Sequence, residues 1–461
     1  LLRRRRPFIE DLRLDVSATD TDGLLDCSLQ FSGAKIDDVA SVAVAATRGD
    51  ECSRVPLSFD ARTGRWAARL VVPGAQLWWP HTHGEPALYQ ARIEATLRTH
   101  GRMDSDIGRV GFRKVAARVA DGRWRLEVNG ADLFCRGACW TPLDPVSLSS
   151  TPQAYQDTLD RMRDAGMNMV RLGGTMTYEH EAFYDACDER GIMVWQEFMF
   201  ANMDYPESES FLDTVRRETA QVLGSLGGHP SLAVLCGNSE VEQQAAMSGA
   251  PRGMWAPRLF HDLLPRLCHD LLPSVPYWPS SAHGGAFPHQ ADAGTTSYYG
   301  VGAYLRPLDD PRSARVSFAT ECLGFANIPD DACLAQLPSG IATRVTQAAW
   351  KRRSPRDLGA GWDFDDVRDH YLLRLFGADA AGLRYADHDR YLELARVVTG
   401  EAMAAAMTYW RRRDSGCGGA LIWWLRDLWA GAGWGILDAS GRPKPCWYYL
   451  RRVLQPVAAL A

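Results

Sequence analysis

No uninterrupted apolar stretch in the 461 residues approaches the roughly 18 that a membrane-spanning helix needs, so no helical span is expected. Charge of one sign is equally scarce. The 51 Lys and Arg stand against 56 Asp and Glu, and a net charge of −5 gives no electrostatic reason to expect a nucleic-acid or membrane partner. The short run Arg3 to Arg6 is too small to alter that and reads as a solvated linker. Glycine-rich phosphate cradles are missing: no strand is followed by G-x-G-x-x-G, and G-x-x-x-x-G-K-[ST] does not occur. The zinc motif H-E-x-x-H is absent too, and His81 and His83 lack the Cys or carboxylate neighbours of a metal site. Neither a metal nor an organic cofactor is therefore expected. The 11 cysteines are odd in number and several (Cys135, Cys139, Cys236) sit in apolar runs, which suits buried thiols and favours a cytoplasmic setting. The first residues, from Leu1, lack the apolar centre of a secretory leader and read as a connection between domains, so an export signal could lie upstream and the compartment stays open.

What is present is an ordinary globular composition, 46% hydrophobic and 23% charged, on a chain long enough for two domains. From Leu12 to Val115 short alternating segments separated by turn signals (Ala40 to Ala45, Arg65 to Val72, Leu88 to Leu97) predict a small immunoglobulin-like β-sandwich over residues 1–115. Within it, Leu77-Trp78-Trp79-Pro80 places two large aromatics beside a proline, which predicts a loop packed against a second domain.

After Gly111-Phe112-Arg113 apolar strands alternate with amphipathic helices, the pattern of repeated βα units. Eight strands are predicted: Leu133 to Trp140, Met169 to Leu172, Met193 to Gln196, Leu232 to Cys236, Tyr277 to Ser281, Thr296 to Tyr299, Ser317 to Glu321 and Ala420 to Trp424. Helices are expected around Gln153 to Ala165, Glu181 to Glu189, Ser208 to Ser225, Pro257 to Leu272, Asp331 to Trp350, Tyr391 to Arg413 and Pro445 to Leu454. The fold class is thus α/β, a (β/α)8 TIM barrel over residues 116–461.

In such a barrel the reacting groups gather at the carboxyl ends of the strands. Glu240 closes the fourth strand segment and Glu321 the seventh. A carboxylate directly after an apolar strand is costly inside the barrel, which places both at its mouth. Strands four and seven lie on roughly opposite sides of the barrel, so the two side chains can address one ligand. Paired carboxylates suit glycoside cleavage with retention, Glu321 attacking the anomeric carbon while Glu240 serves as acid and then base.

The spaced motifs Met167-Asn168-Met169-Val170-Arg171-Leu172-Gly173-Gly174, Val194-Trp195-Gln196-Glu197-Phe198, His229-Pro230-Ser231, Cys236-Gly237-Asn238-Ser239-Glu240 and Thr320-Glu321 with Gly324-Phe325 resemble glycoside hydrolase family 2, in its β-mannosidase-like branch. The resemblance covers nearly the whole chain. It implies a terminal β-linked sugar as substrate, and it assigns Arg171 to orient Glu321. Trp195 and Trp423 would floor the sugar. Asn238 and Ser239, just before the acid/base, would contact the sugar, and Tyr298 or Tyr299 would hydrogen-bond the nucleophile. The chain departs from the pattern at Ser239, where the branch has Asn, and at Ser297, Cys322 and Arg426 in place of His, Phe and Asn. It also lacks a match to the family's amino-terminal jelly roll. Ser239 keeps open an exo-β-glucosaminidase specificity, and a barrel that binds sugar without turnover is the reading from a different class.

Overall fold

Alternation drives the amino-terminal strands into pairs. The structure, a computed structural model, describes residues 7–377 and 379–459; the Arg3 to Arg6 run lies outside them. Strands β1 (Phe8–Ala18), β2 (Asp22–Ser32), β3 (Val39–Arg48), β4 (Glu51–Pro56), β5 (Ser58–Asp60), β6 (Arg65–Pro73), β7 (Tyr89–Leu97) and β8 (Gly101–Val110) form two antiparallel sheets, ordered β1-β2-β6-β5 and β4-β3-β7-β8. Every second residue along β7 is buried, and Leu25, Leu29, Val44, Ala91 and Ile93 fill the space between the sheets. The Trp78-Trp79-Pro80 loop reaches the barrel. Trp78 is buried with its Nε1 donating to Asp188 O (2.9 Å), and the His81 N–H donates to Gly191 O (3.0 Å).

A small sheet of β9 (Val115–Ala120), β10 (Arg123–Val128) and β11 (Ala131–Leu133) then closes the amino-terminal end of the barrel. Its Trp124 packs 5.3 Å from Trp195 and 4.7 Å from Phe318, ring centre to ring centre, inside the strand cylinder. The barrel strands are β12 (Cys135–Cys139), β13 (Met169–Leu172), β14 (Met193–Glu197), β15 (Leu232–Cys236), β16 (Tyr277–Trp278), β17 (Thr296–Tyr298), β18 (Phe318–Cys322) and β19 (Gly419–Ile422). All pair in parallel in the order β16-β15-β14-β13-β12-β19-β18-β17, so the first strand lies between the second and the eighth and the sheet curls round. The remaining seam, between the fifth and sixth strands, is held by reciprocal backbone bonds between His283 and Thr295 (3.3 and 2.9 Å) and by Trp278 Nε1 donating to Thr295 Oγ1 (3.0 Å). Gly137 lets the first two strands approach: a Cβ there would stand 1.7 Å from Met169 O.

Several predicted elements differ in extent. The fifth strand stops at Trp278 rather than Ser281, because Pro279 has no N–H to continue the ladder. The helix expected over Asp331 to Trp350 is broken into short turns, Asp331–Leu334, Gly340–Ala342 and Ala348–Lys351. Pro338-Ser339-Gly340, with Gly340 at φ +57°, interrupts its apolar periodicity. The long helix expected from Tyr391 begins earlier, at His388, capped by the Asp387 carboxylate accepting from the Arg390 N–H. All cysteines are free, and only Cys52 is exposed. Among the described residues no helix is long and apolar enough to cross a membrane.

Candidate active site

Each of the two expected carboxylates stands where a strand gives out. Beyond β15 the turn is fixed by Asn238, whose Oδ1 accepts from the Val241 N–H (3.0 Å) and Ser280 Oγ (2.6 Å), while its Nδ2 donates to Pro279 O (3.1 Å). Glu240 follows in a left-handed conformation, φ +62°, with its N–H donating to Ser281 O (2.6 Å). That conformation is costly for a residue with a Cβ, and such strain gathers at functional sites. The helix Val241–Met247 starts immediately after and brings Gln243 and Gln244, three and four residues on, back over the carboxylate. Gln243 Nε2 donates to Oε1 (3.0 Å) and Gln244 Nε2 to Oε2 (3.0 Å), and across the mouth Ser297 Oγ donates to Oε1 (2.7 Å). Despite these donors, burial and then the neighbouring Glu321 push the Glu240 carboxyl up to about 7.

Glu321 lies within β18, only 5% exposed. Its Oε1 accepts from Arg171 Nη1 (2.9 Å) and its Oε2 from Tyr299 OH (2.8 Å). Arg171 is fully buried at the end of β13 and spends its other donors on Glu197 (Nε to Oε1 2.7 Å, Nη2 to Oε2 3.1 Å), Ser239 Oγ (3.0 Å) and Ser281 Oγ (2.9 Å). Burial opposes the charge on Arg171, but Glu197 and Glu321 outweigh it and raise the guanidinium well above its ordinary value. Burial, followed by Glu321, likewise raises the Tyr299 phenol, which keeps it a donor. Ser239, Glu240, Tyr299, Glu321, Trp423 and Trp424 face one cavity of about 650 Å³, a size suited to a sugar ring with room beyond it.

Three expected contacts fall elsewhere. Trp195 is fully buried in the barrel interior, stacked 5.7 Å from Phe318 with Nε1 on Glu197 Oε1 (3.2 Å), so it lies beneath the mouth rather than under a sugar. Its β14 position puts the side chain inward, where the small sheet's Trp124 fills the cylinder. Tyr298 points away from Glu321 and donates to Asp310 Oδ2 (2.6 Å); adjacent strand residues face opposite sides, so Tyr299 takes the contact instead. Asn238 spends its amide on the turn.

Glu197 went unassigned in the sequence, yet it is fully buried and accepts from Arg171, the Gly174 N–H (2.8 Å) and Ser281 Oγ (2.6 Å). Its position at the end of the third strand was the available signal. Ser281, Gln243 and Gln244 carried none, since their partners are remote or on a turn whose start had to be known.

No family profile matches the chain. It is 28% identical over 478 residues to β-mannosidase B of Aspergillus terreus, covering 97% of this chain and 54% of that protein, and 31% identical over 447 residues to β-mannosidase B of Neosartorya fischeri, covering 89% and 50%. The chain spans about half the length of these relatives. Among solved structures, the β-D-mannosidase of Dictyoglomus thermophilum superposes with a TM-score of 0.81 at 25% identity, over 97% of this chain and 55% of that one. An exo-chitosanase of Amycolatopsis orientalis shares the fold, with a TM-score of 0.75 at 18% identity over 98% and 53%. In sequence and in fold, the chain is a β-mannosidase-like member of glycoside hydrolase family 2.

Proposed function

We propose that the chain is a retaining exo-β-glycosidase of the β-mannosidase kind, hydrolysing terminal non-reducing β-linked sugars, with Glu321 as nucleophile and Glu240 as general acid/base. The observation that carries this is the contrast between two carboxyls in one cavity. Glu321 is fixed by hydrogen bonds from a guanidinium and a phenol, whereas Glu240 is pushed up to about 7 and holds a proton near neutral pH. A double displacement needs such an unlike pair, about 5 to 5.5 Å apart.

In the first step a Glu321 oxygen bonds to the anomeric carbon as the glycosidic bond breaks, and the Glu240 proton passes to the departing oxygen. Glu240, now anionic, takes a proton from water, whose oxygen attacks the anomeric carbon and displaces Glu321. The two steps call on no cofactor. Arg171 holds Glu321 in line through a charge-assisted bond, and Tyr299 holds the second oxygen. Trp423 and Trp424 offer apolar faces to the C–H face of a pyranose. Residues 116–461 carry these groups, and the sandwich of residues 1–115 braces them through the Trp78 loop.

A 2-deoxy-2-fluoro-β-mannosyl fluoride should label the protein once, at Glu321; an ester mapped to another residue, or no ester with any sugar of the series, refutes the assignment. A panel of aryl β-glycosides separates mannoside from glucosaminide. Ser239 supports keeping the second sugar in the panel, because its hydroxyl is already engaged by Arg171 and is shorter than the Asn amide it replaces.

A further inference from the structure

The helix Val241–Met247 has a second face. Gln243, Gln244 and Met247 turn to the cavity, whereas Glu242 points away from it and is buried, at 4% exposure. Its Oε1 meets His261 Nε2 at 2.6 Å and its Oε2 meets His283 Nδ1 at 2.8 Å, and the three ligand-type atoms all lie within 4.8 Å of one another. The histidines come from separate places, 19 and 41 positions along the chain. His261 sits in a π-helical turn, Leu259–Leu263, just ahead of Pro265, and His283 in the loop that bridges Thr295 at the barrel seam. Widened turns of this kind recur at functional sites.

The buried Glu197, Glu321, Asp365 and Asp427 each face an Arg or Lys, whereas among the described residues the ion-pair partners of Glu242 are two imidazoles, as that of Asp188 is the single imidazole of His229. A buried carboxylate beside two imidazoles is a charge that a cation would offset. Both histidines are about one quarter exposed, leaving one side open to water.

We propose that Glu242, His261 and His283 form a site for a divalent cation of zinc type, behind the wall that carries Glu240. Two imidazoles and one carboxylate are a donor set that zinc accepts, with water in the fourth position. Ligands about 2.0 to 2.1 Å from a tetrahedral ion stand about 3.3 Å apart, so the 2.6 and 2.8 Å contacts of the carboxylate would lengthen by about 0.5 to 0.7 Å, and the two ring nitrogens would settle at the same spacing. The ion would tie the helix after Glu240 to the loop after Ser281, whose carbonyl already takes the Glu240 N–H, and is a positioning element for the acid/base.

The test reads metal rather than turnover, so it stands apart from the proposed activity. Protein stripped with a chelator is titrated with Zn2+ and with Co2+. One equivalent of each, a visible cobalt band of nitrogen ligation and a higher melting temperature with Zn2+ are expected. The double variant His261→Gln, His283→Gln keeps amide donors for Glu242 and should lose the uptake. Absence of saturable uptake by the unaltered protein overturns the proposal, as does uptake that the folded double variant retains. Should that variant not fold, the cobalt band of the unaltered protein decides: tetrahedral nitrogen ligation supports the site and an aqua-ion spectrum refutes it.

Discussion

Ser297 offers a way to move the acid/base without touching the reacting carboxyls. Its hydroxyl donates to Glu240 Oε1 at 2.7 Å and favours the ionised form, against burial and Glu321, which together hold the group at about 7. Ser297→Ala removes that donor, so the proton on Glu240 should be held to higher pH. A hydrogen bond to a charged group is worth about 1.5 to 3 kcal/mol, and one pH unit corresponds to about 1.4 kcal/mol. Gln243 and Gln244 remain, and the low end of that range applies. The alkaline limb of kcat/KM, expected near pH 7 for the unaltered chain, should therefore rise by about one pH unit. The assay needs a substrate with a poor leaving group, such as β-1,4-mannobiose, whose departure depends on protonation. An alkaline limb that stays put or moves downward would refute the reasoning, because it would mean that the ionisation limiting the rate is not that of Glu240.

Glu240→Gln should stabilise the protein at alkaline but not acidic pH. The carboxyl is raised in the folded chain from an ordinary 4.5 to about 7, so folding carries no ionisation penalty below pH 4.5, an increasing one between 4.5 and 7, and the full penalty above. Melting curves at pH 5 and pH 8 should show the larger gain at pH 8, and equal gains would contradict the buried, proton-holding environment. Glu197→Gln leaves the fully buried Arg171 with Glu321 as its remaining anionic partner and should cost about 3 to 5 kcal/mol of stability in denaturant titration. A loss under about 1 kcal/mol would mean that the Arg171 network is not held as described. Tyr299→Phe deletes the 2.8 Å bond to Glu321 and should lower kcat/KM about 10- to 100-fold with little change in melting temperature. Unchanged kinetics would separate the phenol from the nucleophile.

Local chemistry made the strands and the two principal carboxylates readable in advance. Apolar runs of four or five residues such as Met169–Leu172 and Leu232–Cys236 can only be buried strands when turn residues and amphipathic helices bound them on both sides, and a Glu at such an end has one place to go. Between Asp331 and Trp350 a continuous helix is the natural expectation, and a Pro-Ser-Gly break is easily passed over. By itself, then, the sequence determined the barrel, the order of its strands and the stations of Glu240 and Glu321. Which neighbours each side chain meets was decided only in three dimensions. Strand pleating chose Tyr299 over Tyr298, the filling of the cylinder by Trp124 took Trp195 out of the mouth, and closure brought Glu197 to Arg171 and Ser297 to Glu240. Those partners lie far apart along the chain or on alternate faces of one strand, and the periodicity of a single segment carries no information about what the curling sheet will set opposite it.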